Sequence, residues 1–265
     1  MTDTAQLRAP ETAKAKKITE ADLCAAFIAA VAKDGKWTAY PETAGFDILL
    51  VRNADGAQMG LEAKLKLNAK VISQALPEYL HYNYGMDGPD YRGVLIPRDT
   101  STDLAPLCRA LGIGVIAARV QPDPSYVRTQ AFSPPLPELG NDHYGDRHWH
   151  EWGPVRRCKL PEYISDAGAG NPSPLKLTDW KIRAIKLAII LEERPVTRAD
   201  FKALGLHPQR WLDPWTKWLV RGEDGYIPGP GMPKLKLEHP TNYEQIKADK
   251  AKWMPAAAPK QGVML

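Results

Sequence analysis

The amino-acid sequence predicts a mixed α/β domain with a central mixed sheet flanked by helices, followed by a smaller, mostly α-helical domain. Between residues 18 and 120 the hydrophobic periodicity changes in the order αβββαβ, and a further helix and strand follow. Residues 121–174 then contain nine prolines and a Gly-Ala-Gly stretch, which is typical of a linker. Helical periodicity returns after residue 175 and marks the second domain.

Each element of the first domain, residues 18–120, has its own signal. Thr19-Glu20-Ala21-Asp22 predicts the start of a helix that Gly35 ends. The elements predicted after it are an antiparallel meander of three strands at 37–40, 46–51 and 59–65, a helix at 70–84 interrupted by Pro77, a strand at 91–97, a helix at 103–111 and a strand at 113–120.

The second domain, residues 175–240, is predicted to be a winged helix. Thr178-Asp179 caps a helix with an apolar stripe, and Thr197 begins a second, short helix. A third helix is predicted from Pro208 and a hairpin at residues 222–227, which is the order of a winged helix-turn-helix domain. Residues 241–265 are predicted to form a last helix and a tail.

Composition excludes several classes of protein. The 265 residues are 44% hydrophobic and 25% charged, as in ordinary globular proteins. No run of 18 apolar residues is present, and the lysine-rich segment 1–17 has no apolar core. We therefore expect a disordered basic tail, no membrane partner and a cytoplasmic protein. The three cysteines lie far apart with no Cys-x-x-Cys spacing, which argues against disulfides or structural zinc.

The net charge of +4 is unevenly distributed along the chain. Residues 1–120 carry 14 basic and 14 acidic side chains, whereas residues 171–265 carry 16 basic and 10 acidic ones. This surplus of positive charge in the C-terminal third fits a polyanion partner, and it also fits an ordinary solvated surface.

The residues that indicate chemistry lie in the meander. Asp47 is near the start of one predicted strand, and Glu62-Ala63-Lys64 lie in the next strand. Side chains alternate along a strand, so Glu62 and Lys64 share a face, which Asp47 can reach. Two carboxylates on an apolar sheet are costly to bury without a cation. We expect Mg²⁺, for which Mn²⁺ can substitute, bound by Asp47, Glu62 and the Ala63 carbonyl. Lys64 would orient or deprotonate the attacking water, or stabilise negative charge at phosphorus.

Asp47 followed by Glu62-Ala63-Lys64, within αβββαβ order, resembles the PD-(D/E)xK nuclease superfamily. This superfamily has the restriction-endonuclease-like fold and includes type II restriction enzymes and archaeal Holliday-junction resolvases. The resemblance covers roughly residues 18–120. It implies that Asp47 and Glu62 are metal ligands and that Lys64 is the catalytic lysine.

Other positions extend the resemblance or depart from it. Glu20 is the best match to a Glu that many members carry on the first helix, which implies a catalytic role for it. Gln74 resembles the Gln of a further Gln-x-x-x-Tyr motif, although Tyr79 is one residue too far, and would contact DNA. Phe46 stands where the family often has Pro.

These residues also have purely structural interpretations. Asp47 fits a charge at a strand edge, and Glu62 with Lys64 fits a solvent-facing pair. Glu20 also favours the helix dipole. Glu42, in the turn before Asp47, either reaches the metal or solvates the turn. His148 and His150, with His143 nearby, have a spacing that a transition metal accepts, but without a third ligand we expect loop histidines.

Candidate DNA contacts lie mainly in the second domain. His207, Gln209 and Arg210 fall at the start of the predicted recognition helix, where bases or phosphates would be met. The spacing of Trp211, Trp215 and Trp218 predicts one buried face of that helix. Further candidate phosphate contacts are Lys217, Arg221 and, in the first domain, Lys66.

The sequence thus predicts a Mg²⁺-dependent deoxyribonuclease, most simply an endonuclease, with a winged-helix domain that supplies affinity for DNA. Symmetric cutting of a duplex would favour a homodimer. Residues 160–181 resemble linkers of phage or mobile-element proteins, which suggests such an origin. Two alternatives remain open: a non-catalytic DNA-binding or regulatory protein that retains a nuclease fold, and a nuclease fold used only for protein contacts.

Overall fold

The computed structural model of the protein describes residues 17–77, 87–120, 130–140, 148–166 and 177–254. The predictions for most of the N-terminal tail, for His143 and for the C-terminal tail lie outside these ranges. Within them, no helix has both the length and the apolar composition needed to cross a membrane.

A six-stranded mixed sheet forms the centre of the N-terminal part. The strands in chain order are β1 (Trp37–Pro41), β2 (Ile48–Arg52), β3 (Gln58–Ala63), β4 (Asp87–Gly88), β5 (Tyr91–Pro97), β6 (Gly114–Ala118), β7 (Phe132–Ser133) and β8 (Arg156–Arg157). The sheet has the order β1-β2-β3-β5-β6-β7, and β4 pairs separately with β8. Strands β1 to β3 are antiparallel, β3, β5 and β6 are parallel, and β7 is antiparallel to β6. The predicted mixed α/β class and the meander are confirmed.

Three helices flank this sheet: α1 (Glu20–Asp34), α2 (Ala69–Ala75) and α3 (Ala105–Ala110). Helix α1 begins where predicted, because Thr19 and Asp22 form a reciprocal capping box, and Gly35 ends it with φ 68°. The prediction of a helix over 70–84 is wrong at residues 76 and 77. Leu76 is extended, since a residue before proline disfavours the helical region, and residues after 77 lie outside the described ranges.

Part of the predicted linker 121–174 packs on the first sheet. Trp149 is only 8% exposed, and its ring covers Gly114, where a Cβ would lie 2.1 Å from the ring. The Gln58 side chain exchanges two hydrogen bonds with the Cys158 backbone, at 2.9 and 2.7 Å. Proline and glycine content predicted a linker here. It did not reveal that the chain lies against the sheet, because that depends on the partner surface.

A second hydrophobic core organises the C-terminal part. Its elements are α4 (Asp179–Leu191), α5 (Arg198–Ala203), a 3₁₀ turn (Pro208–Arg210), β9 (Leu219–Arg221), β10 (Tyr226–Pro228), α6 (Leu235–Glu238), α7 (Pro240–Ala248) and α8 (Lys250–Trp253). The predicted hairpin is present as β9 and β10, and Val196, between α4 and α5, bridges to Tyr226. Helices α4 and α5 and the last helical region also match the prediction.

The predicted third helix is wrong. Only Pro208–Arg210 is helical there, as one 3₁₀ turn, and the chain from Trp211 to Trp218 is irregular. Pro214 has no N–H to donate and disfavours a helical Asp213, which breaks the helix that the tryptophan spacing suggested. Trp211 is fully buried, but Trp215 is 93% exposed, so the prediction of one buried tryptophan face is also wrong.

Candidate active site

A strained loop between β1 and β2 presents Asp47 at the end of the sheet. Glu42 and Ala44 have φ of 51° and 55°, in the left-handed region that non-glycine residues seldom adopt. The Glu42 N–H donates to the Asp47 carbonyl at 2.9 Å, which closes the loop. Backbone strain of this kind costs about 1–3 kcal/mol per residue and is found often at functional sites.

Lys64 lies at the centre of the candidate site, one residue beyond the end of β3. Its ammonium donates hydrogen bonds to the Glu20 carboxylate and the Ala63 carbonyl, both at 2.9 Å. Its Nζ lies 3.8 Å from Asp47 Oδ2. The structure therefore brings together three of the predicted residues, which come from α1, the β1–β2 loop and the end of β3.

Asp47 is tied to β3 as well as to Lys64. Its Oδ2 accepts the Ala63 N–H at 2.8 Å, so the Ala63 backbone contacts Asp47 through its N–H and Lys64 through its carbonyl. This arrangement fixes the Asp47 carboxylate at the end of the sheet. Its second oxygen, Oδ1, has no part in either contact.

The local electrostatics favour an added cation. Burial raises the pKa of Asp47 above its usual value, against the lowering effects of the Ala63 N–H and Lys64, and the charges of Glu42 and Glu20 raise it further. Burial, assisted by the same three acids, raises the pKa of Cys24 to about 12. Glu20 and Asp47 are paired with the Lys64 ammonium, and the charge of Glu42 also acts on Asp47, which leaves an excess of negative charge.

Glu62 is buried on the other face of β3. Met59, Leu61 and Ala63 belong to the core beneath α1, whereas Glu62 is 6% exposed and lines a cavity of about 290 Å³. Gln74 of α2 lines the same cavity. The predicted alternation along β3 therefore holds for Leu61, Glu62 and Ala63, but the prediction that Glu62 and Lys64 share a face is wrong, because the strand ends at Ala63. Lys64 lies beyond the strand, and its ammonium contacts Glu20 on α1. The charge of Glu62 still helps to raise the pKa of Lys64.

Arg92, which the sequence reading missed, lines the same cavity. Its guanidinium carbon lies 5.4 Å from the Phe46 ring and 5.7 Å from the Trp152 ring, and Nη1 donates to the Ala75 carbonyl at 3.1 Å. Burial lowers its pKa. An arginine inside the apolar strand Tyr-Arg-Gly-Val-Leu-Ile was the available signal, because such a charge is seldom placed in a strand without a partner.

The donors at this site match Mg²⁺ in kind. Carboxylate and carbonyl oxygens with an excess of negative charge are what a hard divalent cation prefers. Asp47 offers Oδ1, whereas the Glu62 carboxylate lies on the other face of β3, in the cavity. Among the residues that the structure describes, however, no three His, Cys, Asp or Glu side chains already form a metal-binding group.

The remaining N-terminal candidates are exposed side chains. Lys66 is exposed on the segment between β3 and α2, where it can meet solvent or a ligand. His148 and His150 are exposed on either side of buried Trp149, and His150 packs edge-on against Trp152. Neither histidine belongs to a metal-binding group within the described ranges.

The C-terminal candidates do not lie on a recognition helix, because that helix is absent from the described residues. Arg210 instead places its guanidinium 4.9 Å from the ring centroids of both Trp180 and Trp218. All five predicted contacts of this part are exposed: His207, Gln209, Arg210, Lys217 and Arg221.

No family model, no curated protein and no solved structure matches this chain.

Proposed function

We propose that the protein is a metal-dependent nuclease that hydrolyses phosphodiester bonds in DNA at the site formed by Glu20, Asp47, Glu62 and Lys64. The observation that supports this most is the convergence of Glu20 and Asp47 on the Lys64 ammonium, beside the Ala63 peptide. The resemblance to the PD-(D/E)xK motif motivates the proposal independently of that geometry.

Lys64 serves as a fixed positive charge in this proposal. Burial lowers its pKa, but the hydrogen bond to Glu20 and the charges of Asp47, Glu20 and Glu62 outweigh burial and raise it overall. A lysine with a raised pKa stays protonated at neutral pH. It therefore suits stabilisation of negative charge at phosphorus better than removal of a proton from water.

Mg²⁺, with Mn²⁺ as a substitute, is the cation that we assign to this site. Bound there, it would lower the pKa of a bound water and neutralise the phosphoryl oxygens. Asp47, Glu62 and the Ala63 carbonyl would hold it. Glu20 positions Lys64, and the Ala63 N–H positions Asp47.

The C-terminal part would supply affinity for DNA through its surplus of basic side chains. Residues 1–120 have no net charge, so they offer little of the counterion release that drives binding to a polyanion. We keep the winged-helix assignment as a proposal. The order of α4, the Val196 bridge, α5 and the β9–β10 hairpin supports it, whereas the missing third helix does not.

The test is cleavage of supercoiled plasmid and of a labelled four-way junction by the full chain, with Mg²⁺, Mn²⁺ or EDTA. We expect metal-dependent cutting that falls about 100-fold or more in Asp47→Ala and Lys64→Ala. Asp34→Ala and Lys70→Ala, which change exposed residues on α1 and α2, are the matched controls.

Two outcomes would contradict the proposal. Cutting that survives both substitutions would show that another site, or a contaminating nuclease, is responsible. DNA binding by the unaltered protein without cutting in any metal would favour the alternative of a non-catalytic DNA-binding protein.

A further inference from the structure

Trp215 differs from every other tryptophan of the chain. All eight tryptophans lie in the described ranges, and the other seven are buried or half-buried. Trp215 alone is 93% exposed. Its ring therefore contributes almost nothing to the C-terminal core, whereas its neighbour Trp211 is fully buried there.

The loop that carries Trp215 is held firmly on both sides. The Lys217 N–H donates to the Asp213 carbonyl at 3.0 Å, and the Gly231 N–H donates to the Lys217 carbonyl at 3.1 Å. A Cβ on Gly231 would lie 1.8 Å from the Thr216 carbonyl oxygen, so the two segments are in close contact. The exposure of Trp215 is thus a property of an anchored loop.

Two exposed basic residues lie close to Trp215 in the sequence. Lys217 is exposed and has φ of 47°, and exposed Arg210 is adjacent because the Thr216 hydroxyl contacts its carbonyl at 3.5 Å. The one acid in the loop, Asp213, uses its carboxylate to accept the Trp215 N–H at 3.1 Å. An exposed aromatic ring in the same loop as an exposed lysine, with an exposed arginine next to that loop, is the combination that binds single-stranded nucleic acid.

Two features of the same part disfavour a duplex ligand. The predicted recognition helix, which would enter a major groove, is absent from the described residues, since Pro208–Arg210 is a single 3₁₀ turn. The tip of the β9–β10 hairpin carries exposed Glu223 and Asp224, which would repel the phosphates that flank a groove.

We infer that Trp215 stacks on an unpaired base of single-stranded DNA while Lys217 and Arg210 contact the neighbouring phosphates. This inference rests on the proposed function for the identity of the ligand as DNA. It narrows the substrate class to DNA with an unpaired segment, such as a gap, a flap or the arm of a branch.

The test is the binding of the full chain to a fluorescein-labelled oligothymidylate of about 15 nucleotides, measured by anisotropy in EDTA so that no cutting occurs. We expect the single strand to bind more tightly than a duplex of the same length. Trp215→Ala should weaken binding about 5- to 150-fold, and Trp215→Phe should retain part of the affinity. Leu237→Ala, which removes another exposed apolar side chain of this part, is the control.

An oligonucleotide of abasic sugar-phosphate units separates stacking from charge. The unaltered protein and Trp215→Ala should bind this probe equally, because it has no base to stack. Equal binding of the normal oligonucleotide by the two proteins, a preference for duplex, or no DNA binding at all would overturn the inference. Binding that needs Trp215 in a protein that cuts no DNA would instead contradict only the proposed function.

Discussion

The Lys64 ammonium donates a 2.9 Å hydrogen bond to the carboxylate of Glu20, the first residue of α1. This contact joins two residues that are 44 positions apart in the sequence. Both side chains are partly exposed, at 26% for Lys64 and 38% for Glu20, so solvent reaches the pair. The pair is therefore accessible to a ligand, and its value for stability alone is small.

Replacing Glu20 with Gln should reduce DNA cleavage while leaving the fold intact. The substitution removes the charge that holds the Lys64 ammonium in place, and the loss of such a positioning partner typically costs about 10- to 100-fold in activity. The rate of plasmid cleavage is the measurement. Glu138→Gln is the matched control, because Glu138 forms a similar but exposed pair with Lys36. An equal loss in both variants would contradict the positioning role.

Asp47→Asn should raise the thermal stability of the metal-free protein. Burial raises the pKa of Asp47, so its ionised form is disfavoured in the folded state, and a neutral amide can still accept the Ala63 N–H. In the unfolded chain the Asp47 carboxyl ionises near pH 3.8, below its pKa in the folded protein. Between these two pKa values, the folded protein loses stability as the pH rises. The advantage of the Asn variant should thus be absent at low pH and complete at neutral pH.

Thermal melts across that pH range, in EDTA, are the measurement for Asp47→Asn. Saturating Mg²⁺ should raise the melting temperature of the unaltered protein and leave that of the variant almost unchanged, since binding at about 100 times Kd adds about 2.7 kcal/mol. A lower melting temperature for the metal-free variant at neutral pH would contradict the electrostatic account.

Trp149→Ala should destabilise the N-terminal part by about 3–5 kcal/mol, the usual cost of removing a large buried aromatic side chain. The ring covers Gly114, and its Nε1–H donates to the Pro135 carbonyl at 2.9 Å. Urea unfolding followed by circular dichroism is the measurement, with Trp215→Ala as an exposed control. Little change in the Trp149 variant would show that residues 148–158 do not belong to this core.

Lys217→Ala and Arg210→Ala should differ in their effects. Lys217 is exposed, so its loss should lower the salt dependence of single-strand binding by about 0.7 in log–log slope without affecting stability. Arg210 lies against Trp180 and Trp218, so its loss should affect both binding and stability. Anisotropy titrations over a range of salt, with thermal melts, distinguish the two. Identical behaviour of the variants would contradict the packing role of Arg210.

Elements with strong local signals were predictable. Helix α1 begins at Glu20 because Thr19 and Asp22 satisfy each other's backbone groups, an interaction that involves only neighbours in the sequence. Strand β5 has the predicted bounds, Tyr91–Pro97, because Val94, Leu95 and Ile96 form an apolar run that Pro97 ends. For the candidate site, the sequence pattern predicted Asp47, Glu62 and Lys64 as its residues, but the contact between Lys64 and Glu20 depends on the three-dimensional packing.

The third helix predicted for the C-terminal part is absent from the described residues, although the spacing of apolar residues predicted it. Tryptophans at positions 211, 215 and 218 have helical spacing, yet Pro214 lies between them and was the signal against a helix. Spacing alone cannot distinguish a buried helical face from a loop that buries Trp211 and exposes Trp215. Close approach of Gly231 to Thr216 is part of what holds that loop, and it is a contact between distant segments.

The sequence by itself determined the order of the main helices and strands from α1 to β6, the caps of α1 and α4 and the alternation along β3, because each depends on neighbouring residues. Only the tertiary structure decided that α1 delivers Glu20 to Lys64, that Glu62 faces the cavity with Arg92, and that Trp149 returns to cover Gly114. These contacts join segments far apart in the chain, and their existence depends on how whole elements pack. Local sequence preferences contain no direct record of that packing.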